Sequence, residues 1–181
     1  MLVAQVDIGA FLRGAVSEAT PVLRDVFDSE FALPVLLGVF LLEGAMLLYF
    51  VPSEGIVPAA VLLLGTDPAT LAVVLGVAVL GATAGQFALF TAAKRLGRER
   101  LLAKRWFRID EAKLSRFDGW FDRWGPVVVP VSNSLLFTRG MLTVPAGLAE
   151  MDDREFIALS ALGTLSFESL LAAATLFLLG T

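Results

Sequence analysis

The chain has 181 residues, of which 57% are hydrophobic, and a net charge of −4. Cysteine and histidine are both absent, which excludes disulfide frameworks, thiolate or imidazole metal sites, Cys nucleophiles and imidazole bases. So apolar a composition at this length reads as one domain whose core is completed by lipid, and any proton chemistry near neutral pH falls to carboxylates with raised pKa values.

In chain order, residues 1–31 read as an N-terminal amphipathic helix. Phe11, Leu12, Ala15, Val16, Ala19, Val22, Leu23, Val26 and Phe27 recur at helical spacing, with charges largely elsewhere and Pro21 as a kink. Met1–Asp7 lacks the basic start and cleavage site of a signal peptide, so this end is expected to be retained. The transmembrane domain is expected over 32–181. Its first piece, 32–66, is apolar except for Glu43 and is interrupted by Pro52, Ser53, Glu54 and Gly55. The following run, Ile56–Leu64, is far too short to cross a core that needs about 20 residues. This predicts a re-entrant hairpin.

Thr66-Asp67-Pro68 is a helix start, an N-cap followed by proline, and opens a span over 67–96. Gly81 and Gly85 form a small-xxx-small face. Such a face suits a second copy, giving a homo-oligomer, or packing inside the chain. Ten of the fourteen Lys and Arg lie between Lys94 and Arg123, where the net charge is +5 against −9 for the remainder. Basic loops stay in the cytoplasm, so 97–125 is the expected cytoplasmic loop of a multi-pass cell-membrane protein, with a face suited to anionic headgroups. Within it, Asp110 can cap a short helix that carries Leu114, Phe117, Trp120, Phe121 and Trp124 on one side.

The second half repeats the scheme. Residues 126–151 are apolar but broken by Pro126, Pro130, Gly140, Pro145 and Gly147, and contain Asn133 and Arg139. Asp152 and Glu155 have capping-box spacing and open a last span over 152–180 with Glu168 near its middle. Asp67 and Asp152 each follow Glu54 and Arg139 by thirteen residues. The expected fold is therefore an all-α integral membrane protein. Two opposed re-entrant helical hairpins, each followed by a transmembrane helix, form an inverted repeat whose broken backbone meets near the midplane.

Glu43, Glu54, Arg139, Glu168 and the polar Asn133 are the candidate path residues. A charge at membrane depth costs at least about 2.5–3.5 kcal/mol and usually serves an ion or substrate path. Plainer roles stand beside that one. Arg139 and a glutamate can form a structural ion pair, Glu54 can be a helix-start acid after Ser53, and Glu43 can sit buried and neutral. Glu168 can be structural, and Asn133 and Gln86 can be interhelical hydrogen-bonders. Enzyme readings find no support: Ser132 and Ser134 have no histidine partner, and no phosphate-binding glycine loop follows a strand. No cofactor, metal or nucleic-acid partner is expected.

Several motifs together resemble the DedA membrane proteins of the VTT-domain superfamily. They are Leu42-Glu43-Gly44 with Val51-Pro52-Ser53-Glu54, then Lys94-Arg95-Leu96-Gly97 and Phe121-x-x-Trp124-Gly125. Phe137-Thr138-Arg139, Val144-Pro145-Ala146-Gly147-Leu148, and Gly163 before Phe167 complete them, from about Leu33 to Gly180. The resemblance implies a lipid flippase or scramblase for phospholipid or a polyprenyl-phosphate carrier, dependent on the proton motive force and supporting envelope homeostasis. It makes Glu43 and Glu54 the acidic pair and Arg139 an essential arginine. The family's first arginine falls on Asn133, its proline after the first glutamate and its extra C-terminal span are missing, and Glu168 stands where a neutral residue is expected. On charge grounds Arg139 would bind the headgroup phosphate, while the glutamates gate or couple to protons. The competing readings are a transporter or antiporter of a small solute coupled to H⁺ or Na⁺, and a scaffold that transports nothing.

Overall fold

The computed structural model describes residues 30–48, 53–103, 111–136 and 138–180. The amphipathic helix expected over 1–31 lies outside them but for its last two residues, and so do Pro52, Asp110 and Phe137. Among the described residues all regular structure is helical. In chain order there are α1 (Ala32–Gly44), a 3₁₀ turn (Ser53–Gly55), α2 (Ile56–Leu64), α3 (Pro68–Ala103) and α4 (Glu111–Trp124). A second 3₁₀ turn (Gly125–Val127), α5 (Val128–Asn133), α6 (Thr143–Leu148) and α7 (Asp153–Leu179) follow.

The helices fall into two length classes. α3 and α7 are long and apolar enough to cross a membrane; the 27 residues of α7 extend about 40 Å. α1 has 13 residues, α2 nine, and α5 and α6 six each. None of the short helices reaches across a hydrocarbon core of about 30 Å. Proline explains much of this division. Pro34, Pro58, Pro130 and Pro145 each sit third in a short helix. Proline is tolerated in the first turn, where the N–H has no intrahelical partner, and would break a helix farther in.

The long helices begin where their caps predict. Asp67 Oδ1 accepts from the backbone N–H groups of Ala69 and Thr70, each at 3.1 Å, and Oδ2 accepts from the Thr70 hydroxyl at 2.6 Å. Asp152 Oδ1 accepts from the N–H groups of Arg154 and Glu155 at 2.9 and 3.1 Å. Those bonds, the Glu155 one foremost, hold the Asp152 carboxyl below its ordinary value of 3.8. The charged cap is favourable above the unfolded-state pKa and lost as pH falls through the lower folded value. We expect acid fraying of residues 153–156 to set in below about pH 4, and to vanish in Asp152→Asn, which caps without a charge. Backbone amide exchange of those residues across a pH series checks this.

The predicted stop at Gly97 is a bend, not an end. Gly97 has φ 71° and ψ 167°, a conformation open to glycine, and the helix resumes to Ala103. The basic segment expected as a loop is therefore largely helical. Arg98 pairs with Asp118 of α4 at 2.7 Å, while Trp120 and Trp124 are exposed and Phe121 packs inward.

Close backbone approaches set the packing. A Cβ at Gly81 would lie 2.7 Å from the Leu37 carbonyl oxygen, and one at Gly85 would collide with that of Leu41. The Gly81–Gly85 face is thus occupied by α1 of the same chain. Gly44 meets Ala82 from the other side. Gly147 of α6 sits equally tightly on the Phe90 carbonyl of α3, and Gly163 of α7 on Pro130 of α5. α2 lies against both long helices. Each half thus packs its first short helix on its own long helix, while α6 lies on the long helix of the other half. At one end Lys94 of α3 donates to the Met151 carbonyl at 2.9 Å and pairs with Asp153 at 2.8 Å. Phe90 and Phe156 stack beside it, 4.2 Å between centroids. The end of α3 therefore meets the start of α7, and the two run antiparallel. Leu80, Leu162, Leu170 and Phe177 face outward.

Candidate functional site

Three of the charges singled out in the sequence meet at one guanidinium. Arg139 lies in the turn between α5 and α6, Glu43 in the last turn of α1, and Glu168 midway along α7. Arg139 Nη2 donates to Glu43 Oε2 at 3.2 Å, and Nη1 lies 2.6 Å from Glu168 Oε1. The side chains of Arg139 and Glu43 are 9% and 11% exposed and that of Glu168 1%, so both pairs are shielded from solvent. The guanidinium carbon lies 4.5 Å from the centroid of the Phe167 ring, a cation–π contact. The Glu168 pair is close without being aligned. Neither Glu168 oxygen, nor Arg139 Nε, has a hydrogen-bond partner among the described residues.

The turn that carries Arg139 is held from below. Asn133, at the end of α5, accepts from the Gly140 N–H at 3.1 Å and donates to Gln86 Oε1 at 2.9 Å and to Ser160 Oγ at 3.3 Å. Ser160 also donates to Gln86. Ser132 and Thr138 exchange hydrogen bonds across the same turn, each hydroxyl to the other's carbonyl. Gly140 has φ 71°, which aims its N–H back at Asn133. One buried amide thus joins the turn to α3 and α7, and its own polar atoms are spent in doing so. In Asn133→Leu the buried Gly140 N–H loses its partner, at about 1–3 kcal/mol, while Gln86 keeps Ser160. Thermal unfolding in detergent should show that loss.

Glu54 sits on the Ser53–Gly55 turn, half-buried, within electrostatic reach of Glu168. Glu54 is an acid in the first turn of the 3₁₀ segment that runs into α2, but the N-cap of α2 is Gly55 and not Ser53, with no side-chain cap. The turn that follows α1 approaches the α5–α6 turn, since a Cβ at Gly140 would lie 3.9 Å from Met46 Cγ. Pro145 and Gly147 are buried in α6. Asn133 and Arg139 belong to one turn, but Asn133 supports that turn while Arg139 alone meets the acids. The sequence reading missed Phe167 as a partner of Arg139; its place beside Glu168 was the available signal. Among the described residues no cluster of acidic residues suited to a metal ion occurs.

The arrangement is a cation held at depth by two carboxylates from different helices, inside broken backbone. It can bind an anion by exchanging one of them, and it can hold a proton on a carboxylate that loses its partner.

Comparison with known proteins gives the same direction. The family model described as VTT domain matches residues 51–178. A curated relative, undecaprenyl phosphate transporter A of Staphylococcus aureus (strain NCTC 8325 / PS 47), is 26% identical over 143 residues, covering 76% of this chain and 70% of that protein. No solved structure matches.

Proposed function

Because the chain belongs to the VTT-domain family and is a membrane protein, we propose that it is a transporter of phosphate-bearing lipid, a polyprenyl phosphate before a phospholipid. The relative's name supports that substrate class. The single observation that carries the reading is Arg139, a nearly buried cation in a turn between two helices too short to cross the membrane. A lipid phosphate cannot pass hydrocarbon unescorted, and a guanidinium matches its oxygens in geometry and charge.

On this reading α1–α2 and α5–α6 are the opposed re-entrant hairpins of an inverted repeat, each followed by a span. Supporting it are the packing of each half's first short helix on its own long helix and the approach of Met46 to Gly140. The basic segment 97–125 faces the cytoplasm of a cell-membrane protein, following its charge. Glu43 and Glu54 gate the path and carry protons, so that a proton gradient drives the lipid.

The test is translocation of fluorescent polyprenyl phosphate and phospholipid in proteoliposomes, with and without a pH gradient. Acceleration by the gradient, lost on adding protonophore or in Glu54→Gln, is expected. Gradient-independent movement would contradict the coupling, and movement of neither lipid would contradict the substrate.

A further inference from the structure

The proton and gating roles assigned above leave Glu168 without a task, yet it is the most deeply buried acid at the site. One guanidinium faces two carboxylates, so with both ionised the trio carries an excess negative charge away from water. The two contacts differ in kind. Glu43 makes an aligned hydrogen bond. Glu168 lies closer to Nη1 but out of line with it, and neither of its oxygens has a second donor. Glu168 is therefore held chiefly by charge. A phosphate in its place would bring oxygens able to align with donors that Arg139 leaves unused, Nε among them.

Resting on the lipid-phosphate reading, we propose that Glu168 is a built-in competitor for the substrate phosphate, occupying Arg139 while the path is empty and giving it up when the headgroup arrives. The charges that face Glu168 among the described residues are Arg139 from the α5–α6 turn, Glu43 from α1 and Glu54 from the Ser53–Gly55 turn. Once the phosphate holds the guanidinium, Glu168 is left among anions and takes up a proton to stay in place. Anion binding and proton uptake are thereby one exchange. The ligand class is a phosphomonoester on an apolar chain.

The consequence is a tax on affinity. If Glu168 fills Arg139 in about nine molecules of ten, removing its charge raises apparent affinity about tenfold. The probe is farnesyl phosphate, with farnesol as the uncharged control and inorganic phosphate as the chain-free one, titrated against the full chain in detergent. Glu168→Gln is expected to lower the half-saturating farnesyl phosphate concentration about tenfold and to leave farnesol unchanged. Glu168→Asp, which keeps the charge but draws it back, should give a smaller gain in the same direction. Between about pH 8 and pH 7, where a phosphomonoester stays largely doubly charged, binding to wild type should tighten and binding to Glu168→Gln should stay flat.

Should Glu168→Gln fail to fold, Glu168→Asp and the wild-type pH series decide. Unchanged or weaker farnesyl phosphate binding by a folded Glu168→Gln or Glu168→Asp, or a flat wild-type series, overturns the competitor. A gain seen with inorganic phosphate and not with farnesyl phosphate overturns the lipid as its rival. If Arg139→Gln abolishes binding while Glu168→Gln leaves it unchanged, only the competitor falls. Binding that survives Arg139→Gln removes the underlying reading as well.

Discussion

Arg139→Gln is expected to abolish movement of lipid phosphate and to destabilise the fold, both through the loss of one charge. Glu43 and Glu168 are paired to Arg139 at 3.2 and 2.6 Å and almost sealed from solvent. Removing one partner of a buried ion pair typically costs about 3–5 kcal/mol, because the remaining charge is left uncompensated. Here two carboxylates lose the same cation, and taking up protons relieves part of the penalty. The variant should therefore recover more stability as pH falls than the wild type does. Arg139→Lys separates charge from shape. It restores a cation, and hence much of the stability, but a point charge cannot span both carboxylates or grip a phosphate with a planar fork. Stability regained by Lys without regained transport would show that the guanidinium does more than lock α1, the α5–α6 turn and α7 together. Unfolding curves in detergent across pH, beside translocation rates in liposomes, measure both.

The second large effect is expected at Gly85. A Cβ there would fall on the Leu41 carbonyl and lie 2.7 Å from the Ala45 nitrogen. The obstacle is backbone, so no rotamer change relieves it and α1 must move off α3. We expect Gly85→Val to cost about 3 kcal/mol, the upper end of ordinary overpacking. It should also weaken transport, because Glu43 sits next to Gly44, itself in tight contact with Ala82. Gly76→Val on the same helix has nothing within 4 Å of its Cβ and should leave both properties unchanged. Paired unfolding midpoints of the two variants test the claim.

Much of this architecture was legible because its signals are local. Asp67-Pro68 and Asp152 with Glu155 announce caps that the backbone uses, and the short run Ile56–Leu64 matches α2 residue for residue. Apolar length alone separates α3 and α7 from the rest. The Gly81–Gly85 face was legible as a contact but not as to its partner, which depends on where α1 returns. Gly97 read as a stop because glycine marks both ends and bends. The site was readable as a set of costly charges, but not as a geometry. That Arg139 pairs with Glu43 and Glu168, 96 and 29 residues away in sequence, follows from how the end of α1 and the α5–α6 turn meet α7. Asn133 looked like a path residue for its polarity and position. Its hydrogen bonds to Gln86, Ser160 and Gly140 are long-range facts that no local pattern carries.

The most direct test of the central claim is head-group-selective translocation by the purified chain. Fluorescent polyprenyl phosphate and the matching uncharged polyprenol would be offered to liposomes holding wild type or folded Arg139→Gln. The phosphate lipid should cross with wild type alone, and the polyprenol should cross no faster than in empty liposomes. Equal movement of the phosphate lipid by both proteins would contradict a path built around Arg139.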